Sequence, residues 1–324
     1  MQYHIIRMNF TAPIHLGNRE GILESTLNHV PSDMLFSAFC NVYRLLYGKT
    51  ALEEMITGPV ETIPAFSSAF PFLEQIYFLP RPLDLDMPGW ELKKAKRLRY
   101  IEHGLFCKYL LNGQLEKFDL QDYPDEASAG FLLPPAYAQR RLYQEEEVPR
   151  VALDSISSNS NVYYFNQLRF FPKSGLYCLV RCTDELWPVL QGCWRVLGDE
   201  GLGGDRSSGK GLFQVEFPGE MEFPEITQPG AAVLLGLYYP TVSESSNLDS
   251  NYSLIQRAGY IYSSDEQNQR RQTVRMLAEG SVIYEPLTPN GQIVDVTPPG
   301  FTTHQVWRDG RAFTVAAAGG KGAM

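Results

Sequence analysis

The sequence has no run of about eighteen apolar residues, the length that a membrane-crossing helix requires. Nor does it open with the basic-then-apolar layout of an export signal; MQYHIIRMNF alternates in the manner of a strand. Cysteine is sparse and odd in number. Cys40, Cys107, Cys178, Cys182 and Cys193 are scattered, no CxxC pair occurs, and the five histidines lie far apart. This argues against a disulfide framework and a structural zinc site, and predicts reduced, buried thiols in a cytoplasmic protein without metal or other cofactor. Basic residues are in the minority: 28 lysines and arginines against 37 acids give a formal net charge of −9. A nucleic-acid partner is then expected only where positive charge gathers locally.

What the chain has is apolar material and repeated local grammar. Its 324 residues are about twice one ordinary domain, and a hydrophobic share of 44% suffices for buried cores. Residues 3–10 read as a strand. In PSDMLFSAFCNVYRLLYG, Ser32 or Asp33 is placed to cap a helix, Leu35, Phe39, Val42, Tyr43 and Leu46 form its apolar stripe, and Gly48 is placed to stop it. Strands are expected at 76–79 and 99–106. The polar stretch DSISSNSN, residues 154–161, suggests a domain boundary nearby. The second half repeats the order: a strand at 175–182, a helix whose apolar positions run from Leu186 to Leu197, a glycine-rich loop, and the alternating strand LFQVEF. Strand, helix, loop and strand in each half predict an α+β protein of two ferredoxin-like domains. The expected division is 1–150, with a long insertion at about 80–144, then 151–315, then a flexible tail at 316–324.

The loop GLGGDRSSGKGLF, residues 201–213, concentrates the chemistry. Residues 204–210 satisfy the G-x-x-x-x-G-K part of a nucleotide-binding loop, but Gly211 stands where the magnesium-binding hydroxyl belongs. The order is also reversed, since that loop follows a strand and opens a helix. Nucleotide hydrolysis is therefore set aside. Glycines let backbone amides approach an anion, and Arg206, Ser207, Ser208 and Lys210 add side-chain donors suited to phosphate and sugar. An ordinary glycine-rich turn is the plainer alternative. Lys93, Lys94, Lys96, Arg97 and Arg99 crowd another short segment, which reads equally well as a solvated face.

A G-L-G-G-x-R-S-S-G-x-G-x-F loop between a helix and a strand resembles the signature of the RAMP superfamily of CRISPR-associated RNA-binding proteins. IHLGNREG is similar to that family's H-x-G-x-x-x-G, and SDMLFSAF to its S-D-x-L-F-S-A helix. FPFLEQIYFLPRP, KKAKRLRYI, AEGSVIYEP, GQIVDVTP and HQVWRDGRAF follow in family order up to about residue 315. The ordered set resembles the fourth subunit of the type III-A (Csm) effector, with the handle-binding RAMP of type III-B complexes as its neighbour.

The resemblance implies a non-catalytic subunit that caps the 5′ repeat handle of the CRISPR guide RNA, near the end of the paired target RNA. It also implies that the subunit joins the large signature subunit to the backbone RAMP subunits, with no membrane partner. Carried over residue by residue, it assigns RNA contact to His15, Gly17, Asn18, Ser32 and Asp33, and to Gly203, Gly204, Arg206, Ser207, Ser208, Gly209, Lys210 and Gly211. It further implies a thumb within residues 80–144. Arg150 and Asp154 match their family segment loosely and receive no role; Tyr163, Tyr164 and Phe165 read as core strand more readily than as base-stacking rings. A catalytic His15, as in a metal-independent CRISPR RNA endonuclease, is the alternative from another class.

Overall fold

The computed structural model describes residues 1–17, 24–124, 129–153, 160–261 and 269–319. In chain order, β1 (Gln2–Phe10) leads to α1 (Ser32–Thr57), then β2 (Ala65–Phe66), β3 (Phe70–Leu73) and β4 (Ile76–Pro80). An insertion carries α2 (Leu92–Ala95), β5 (Tyr100–Glu102) and α3 (His103–Asn112). A long hairpin follows, β6 (Tyr143–Leu153) with β7 (Ser160–Phe170). Next come β8 (Ser174–Arg181), α4 (Trp187–Glu200), the glycine loop, β9 (Phe213–Glu216) and β10 (Glu220–Glu222). The remainder holds β11 (Ala231–Leu234), α5 (Val242–Ser246), β12 (Asp249–Asn251), β13 (Leu254–Arg257) and β14 (Val274–Leu277). It closes with β15 (Val282–Glu285), β16 (Gly291–Asp295), β17 (Trp307–Arg311) and β18 (Thr314–Ala317).

The first sheet runs β10–β1–β8–β3–β4–β5, with β9 continuing beside β1 along the β10 edge, and every pairing is antiparallel. β1 is central because it is apolar on both faces. Tyr3 and Ile5 point into one core, with Phe72, Phe78 and Phe106. Ile6 and Met8 point into the other, where α1 and α4 supply Phe36, Phe39, Leu190 and Trp194. The first of these cores also takes in Val233, Val282 and Val315 of the second sheet. That sheet runs β12–β15–β11–β18, again antiparallel. α5 crosses between its first two strands, and the β16–β17 hairpin occupies the second crossover.

Several expectations are corrected. The break in strand pairing falls between β10 and β11, so residue 150 is not a boundary: Arg150 lies inside β6, opposite Tyr163 of β7, and the first sheet joins strands from both expected halves. Most of the polar stretch that suggested the boundary, residues 154–159, lies outside the described residues. Neither Ser32 nor Asp33 caps α1; Pro31 holds that position and both side chains are buried and bonded elsewhere. Gly48, with φ 89°, does stop the first helical run as expected, and a second run carries the chain on to Thr57. The strand expected at 99–106 ends at Glu102, where α3 begins and turns Leu105, Phe106, Tyr109 and Leu110 into the core. The tail is ordered at its start: Ala316 and Ala317 pair with Ala232 and Ala231, and the Ala318 amide donates to the Leu110 carbonyl at 2.7 Å. Residues 320–324 lie outside the described ones.

The 80–144 insertion is a covering layer. Leu85, Met87, Ala95, Leu98, Leu132 and Leu133 are buried in the first core, while Lys93, Lys96, Arg97 and Arg99 face solvent. The long hairpin begins at its end, with Tyr143.

Candidate RNA interface

Gly201 ends α4 with φ 80°, and its amide donates to the Leu197 carbonyl at 2.9 Å. The loop then folds on itself and onto the segment after β1. The Leu202 amide donates to the Gly211 carbonyl at 3.0 Å, and the Gly211 amide to the Pro13 carbonyl at 2.9 Å. The Gly204 amide donates to the His15 carbonyl at 2.9 Å, which closes an antiparallel bridge between the two loops. A Cβ at Gly203 would sit 2.4 Å from the His15 carbonyl oxygen, and one at Gly211 only 1.9 Å from that of Leu202. These glycines therefore permit the chain's own closure rather than approach by a ligand. Gly209 differs. It lies exposed with φ 75° and open space around the Cβ position.

The hairpin forms the third wall. Phe165 is buried, with the His15 ring at 4.4 Å, the Arg150 guanidinium at 4.6 Å and the Lys210 ammonium at 5.0 Å from its ring centre. Arg150 pairs with Asp205, a non-glycine residue held at φ 61°. The Ser208 hydroxyl donates to the same Asp205 carboxylate at 2.9 Å. Lys210 donates to Gln167 of β7. Ser208 thus spends its proton inside the loop, whereas Ser207 is exposed and has no hydrogen-bond partner among the described residues. The Arg150 bond holds the Asp205 carboxyl below the ordinary carboxylate range, against burial. Burial and the neighbouring Arg150 both push the Lys210 ammonium down, with Asp205 opposing.

His15 is buried, and its Nδ1 lies 2.7 Å from the Asn166 carbonyl oxygen. Burial lowers its pKa from the ordinary 6.5, more than the Asn166 carbonyl and Asp205 raise it. It is therefore neutral at pH 7 and braces the hairpin against the first loop. A lowered histidine pKa leaves stability intact above 6.5 and subtracts from it as pH falls, because the unfolded chain then binds the extra proton. The unfolding midpoint is expected to fall between pH 7 and pH 5 more steeply in the wild type than in His15→Gln, measured by urea titration at each pH.

The structure thus brings His15 and Gly17 to the glycine loop, while Asn18 lies outside the described residues. Gly17, Gly203, Gly204 and Arg206 line one open groove of about 1350 Å³. Asp33 lines the same groove, and both Ser32 and Asp33 bond residues of the C-terminal part. The Ser32 hydroxyl accepts from the Leu237 amide at 2.9 Å, and Asp33 is buried between Arg257 and Arg308 of the C-terminal part. Arg150 and Phe165 were missed. The only signal was alternation in VYYFNQL, which turns Phe165 and Gln167 inward together, and alternation does not reveal which loop they meet.

A family profile described as the CRISPR Csm4 C-terminal domain matches residues 227–317. The CRISPR system Cms protein Csm4 of Thermococcus onnurineus (strain NA1) is 30% identical over 263 residues, covering 78% of this chain and 81% of the relative. The chain belongs to the Csm4 family. Csm4 of Methanocaldococcus jannaschii is 25% identical across 92% of this chain and 89% of its own. The fold agrees with Csm4 structures. A crystal structure of the Csm3–Csm4 subcomplex of the type III-A CRISPR-Cas interference complex superposes with a TM-score of 0.67, at 19% identity, over 96% of this chain and 98% of that one. A Csm1–Csm4 cassette in complex with cA4 gives 0.62, at 22% identity, over 98% of each chain. Csm4 is a RAMP-type subunit of a CRISPR effector, and the profile's first residue falls at the break in strand pairing seen here.

Proposed function

We propose that the chain is a non-catalytic, cytoplasmic RNA-binding subunit of a type III-A effector. In this reading it caps the 5′ handle of the guide RNA and joins the large signature subunit to the backbone RAMP subunits. The observation that carries it is the meeting of the His15 loop, the glycine loop and the middle of the β6–β7 hairpin, which sets Arg150, Arg206 and Lys210 around exposed Ser207 and Gly209. Donors on short loops and backbone suit phosphate and sugar, and none is arranged to read a base edge. Related structures that pair Csm4 with Csm1 or with Csm3 support the joining role.

Two ferredoxin-like units fit the strand order. Numbering the four principal strands of each unit along the chain, both sheets run 4-1-3-2, one within residues 1–223 and the other within 227–317. The second keeps only a five-residue helix. The β6–β7 hairpin, rather than residues 80–144, is our choice for the thumb near the target RNA, because it is the long excursion beside the loop.

The test is titration of the full chain with labelled single-stranded RNA carrying handle and spacer, in chelator, across a salt series. Binding by single strands follows a slope of about −0.7 per phosphate neutralised. Arg206→Gln with Lys210→Gln is expected to flatten the slope by roughly one to two units. An unchanged slope in a variant of wild-type circular dichroism overturns this placement. Specific cleavage that disappears in His15→Ala overturns the non-catalytic reading.

A further inference from the structure

The groove continues beyond the glycine loop. Its opposite wall is α1, and its far end is formed by residues 254–260 with Arg271 and Arg308. Five arginines line it, Arg44, Arg206, Arg257, Arg271 and Arg308, against two carboxylates, Asp33 and Glu200. In a chain of net charge −9 this is a local reversal of sign. The excess is greatest at the far end. Arg257 grips Asp33 with two bonds, Nε to Oδ2 at 3.1 Å and Nη2 to Oδ1 at 3.0 Å. Arg308 also donates to Asp33, and its Nη2 donates to the Ala258 carbonyl at 3.0 Å. Arg271 approaches from the same side, its Nε donating to the Tyr260 carbonyl at 3.0 Å.

Two guanidiniums therefore share one carboxylate, and Arg271 stands beside them without bonding it. Asp33 takes up one positive charge and leaves two, in a setting where water screens poorly. The Nε of Arg308 is buried without a hydrogen-bond partner among the described residues, and Arg308 as a whole is only 3% exposed. Neither terminal nitrogen of Arg271 has a hydrogen-bond partner among the described residues. Native interiors rarely leave such donors and such charge unanswered. An anion with several acceptor oxygens, met from the groove by the terminal nitrogens of Arg271, answers the charge, while the Arg308 Nε lies too deep to be reached.

We infer that Arg257, Arg271 and Arg308 form a second phosphate site, separate from the glycine loop, which holds a phosphodiester of the same single-stranded RNA as it runs along the groove. Asp33 is then a positioning residue that fixes two of the guanidiniums in place. Burial pushes the Arg271 guanidinium down to about 10, with Arg308 and Arg257 acting in the same direction and Asp33 opposing them. Phosphate suits the site better than a carboxylate because guanidinium forks engage phosphate oxygens in pairs. The C-terminal unit thereby gains a direct part in holding the guide. The inference rests on the RNA-binding reading above and adds a second contact to it.

The test uses Arg271→Gln, whose only described bond is to a backbone carbonyl at the protein surface, and Arg271→Lys, which restores the charge. Full-length wild type and variants are titrated with the handle-and-spacer RNA across salt and footprinted with hydroxyl radicals. Arg271→Gln is expected to flatten the salt slope by about 0.7 for one lost phosphate contact, and Arg271→Lys to recover it. The footprint should open at one or two consecutive nucleotides, different from those opened by Lys210→Gln. A wild-type slope and footprint in Arg271→Gln overturn the inference while leaving the RNA-binding reading standing. An unchanged footprint with loss of a protein subunit from the assembled complex also overturns it, in favour of an acidic protein segment in the groove. If the wild type itself binds no RNA, both readings fall together.

Discussion

Asp33→Asn is expected to lower stability by about 3–5 kcal/mol, the loss typical when one partner of a buried ion pair is removed. The carboxylate is 3% exposed and bonds Arg257 and Arg308, which lie 224 and 275 residues further along the chain. The amide keeps the shape but not the charge, so two buried guanidiniums lose their counter-ion together. Burial alone pushes the Asp33 carboxyl up, and Arg257 and Arg308 more than reverse this, leaving it below its ordinary 3.8. The sign follows: the contribution is complete above 3.8 and is lost as pH falls through the lower folded value. Wild type and Asp33→Asn should differ widely in urea midpoint at pH 7 and converge in strong acid. Ser32→Ala supplies the comparison, since it removes one acceptor from the Leu237 amide and is expected to cost about 1–3 kcal/mol. A neutral Asp33→Asn at pH 7 would show that the three arginines need no internal counter-ion.

The contrast between these neighbours also explains what sequence could and could not reveal. The alternation of β1, the stripe of α4 and the glycine loop between α4 and β9 were all readable, because each is set by residues close in sequence. The S-D pair reads as a helix cap or, by resemblance, an RNA contact. Long-range packing overturns the cap, by burying Asp33 against Arg257 and Arg308. The boundary at 150 failed for a related reason. Arg150 lies in a strand that pairs with the next one, and polar composition nearby does not reveal that pairing. His15 was legible as a candidate, but its neutral state comes from burial and its bracing role from the Asn166 carbonyl, 151 residues away. Arg150 was set aside on a loose motif match and proves to hold Asp205 in the loop.

Gly211→Ala should abolish retention of guide RNA, whereas Gly209→Ala should leave most of it. Both positions have left-handed φ, 72° and 75°, so both substitutions carry backbone strain of roughly 1–2 kcal/mol. Space separates them. At Gly209 the new methyl meets nothing within 4 Å, and strain is the whole effect. At Gly211 it lands 1.9 Å from the Leu202 carbonyl oxygen, a contact that no side-chain rotation relieves. The loop must open, and with it go the Leu202–Gly211 and Gly211–Pro13 backbone bonds that hold it to itself and to the first loop. Lys210 and Arg206 would then leave the positions that set them beside Arg150. Each variant is co-expressed with the remaining subunits and guide, and guide per assembled complex is measured beside the thermal midpoint of the purified chain. A Gly211→Ala chain that assembles and keeps its full complement of guide would show that closure of this loop is not what presents the cations. Loss in Gly209→Ala greater than in Gly211→Ala would instead make the exposed tip, at Ser207 to Gly209, the surface on which the RNA rests directly.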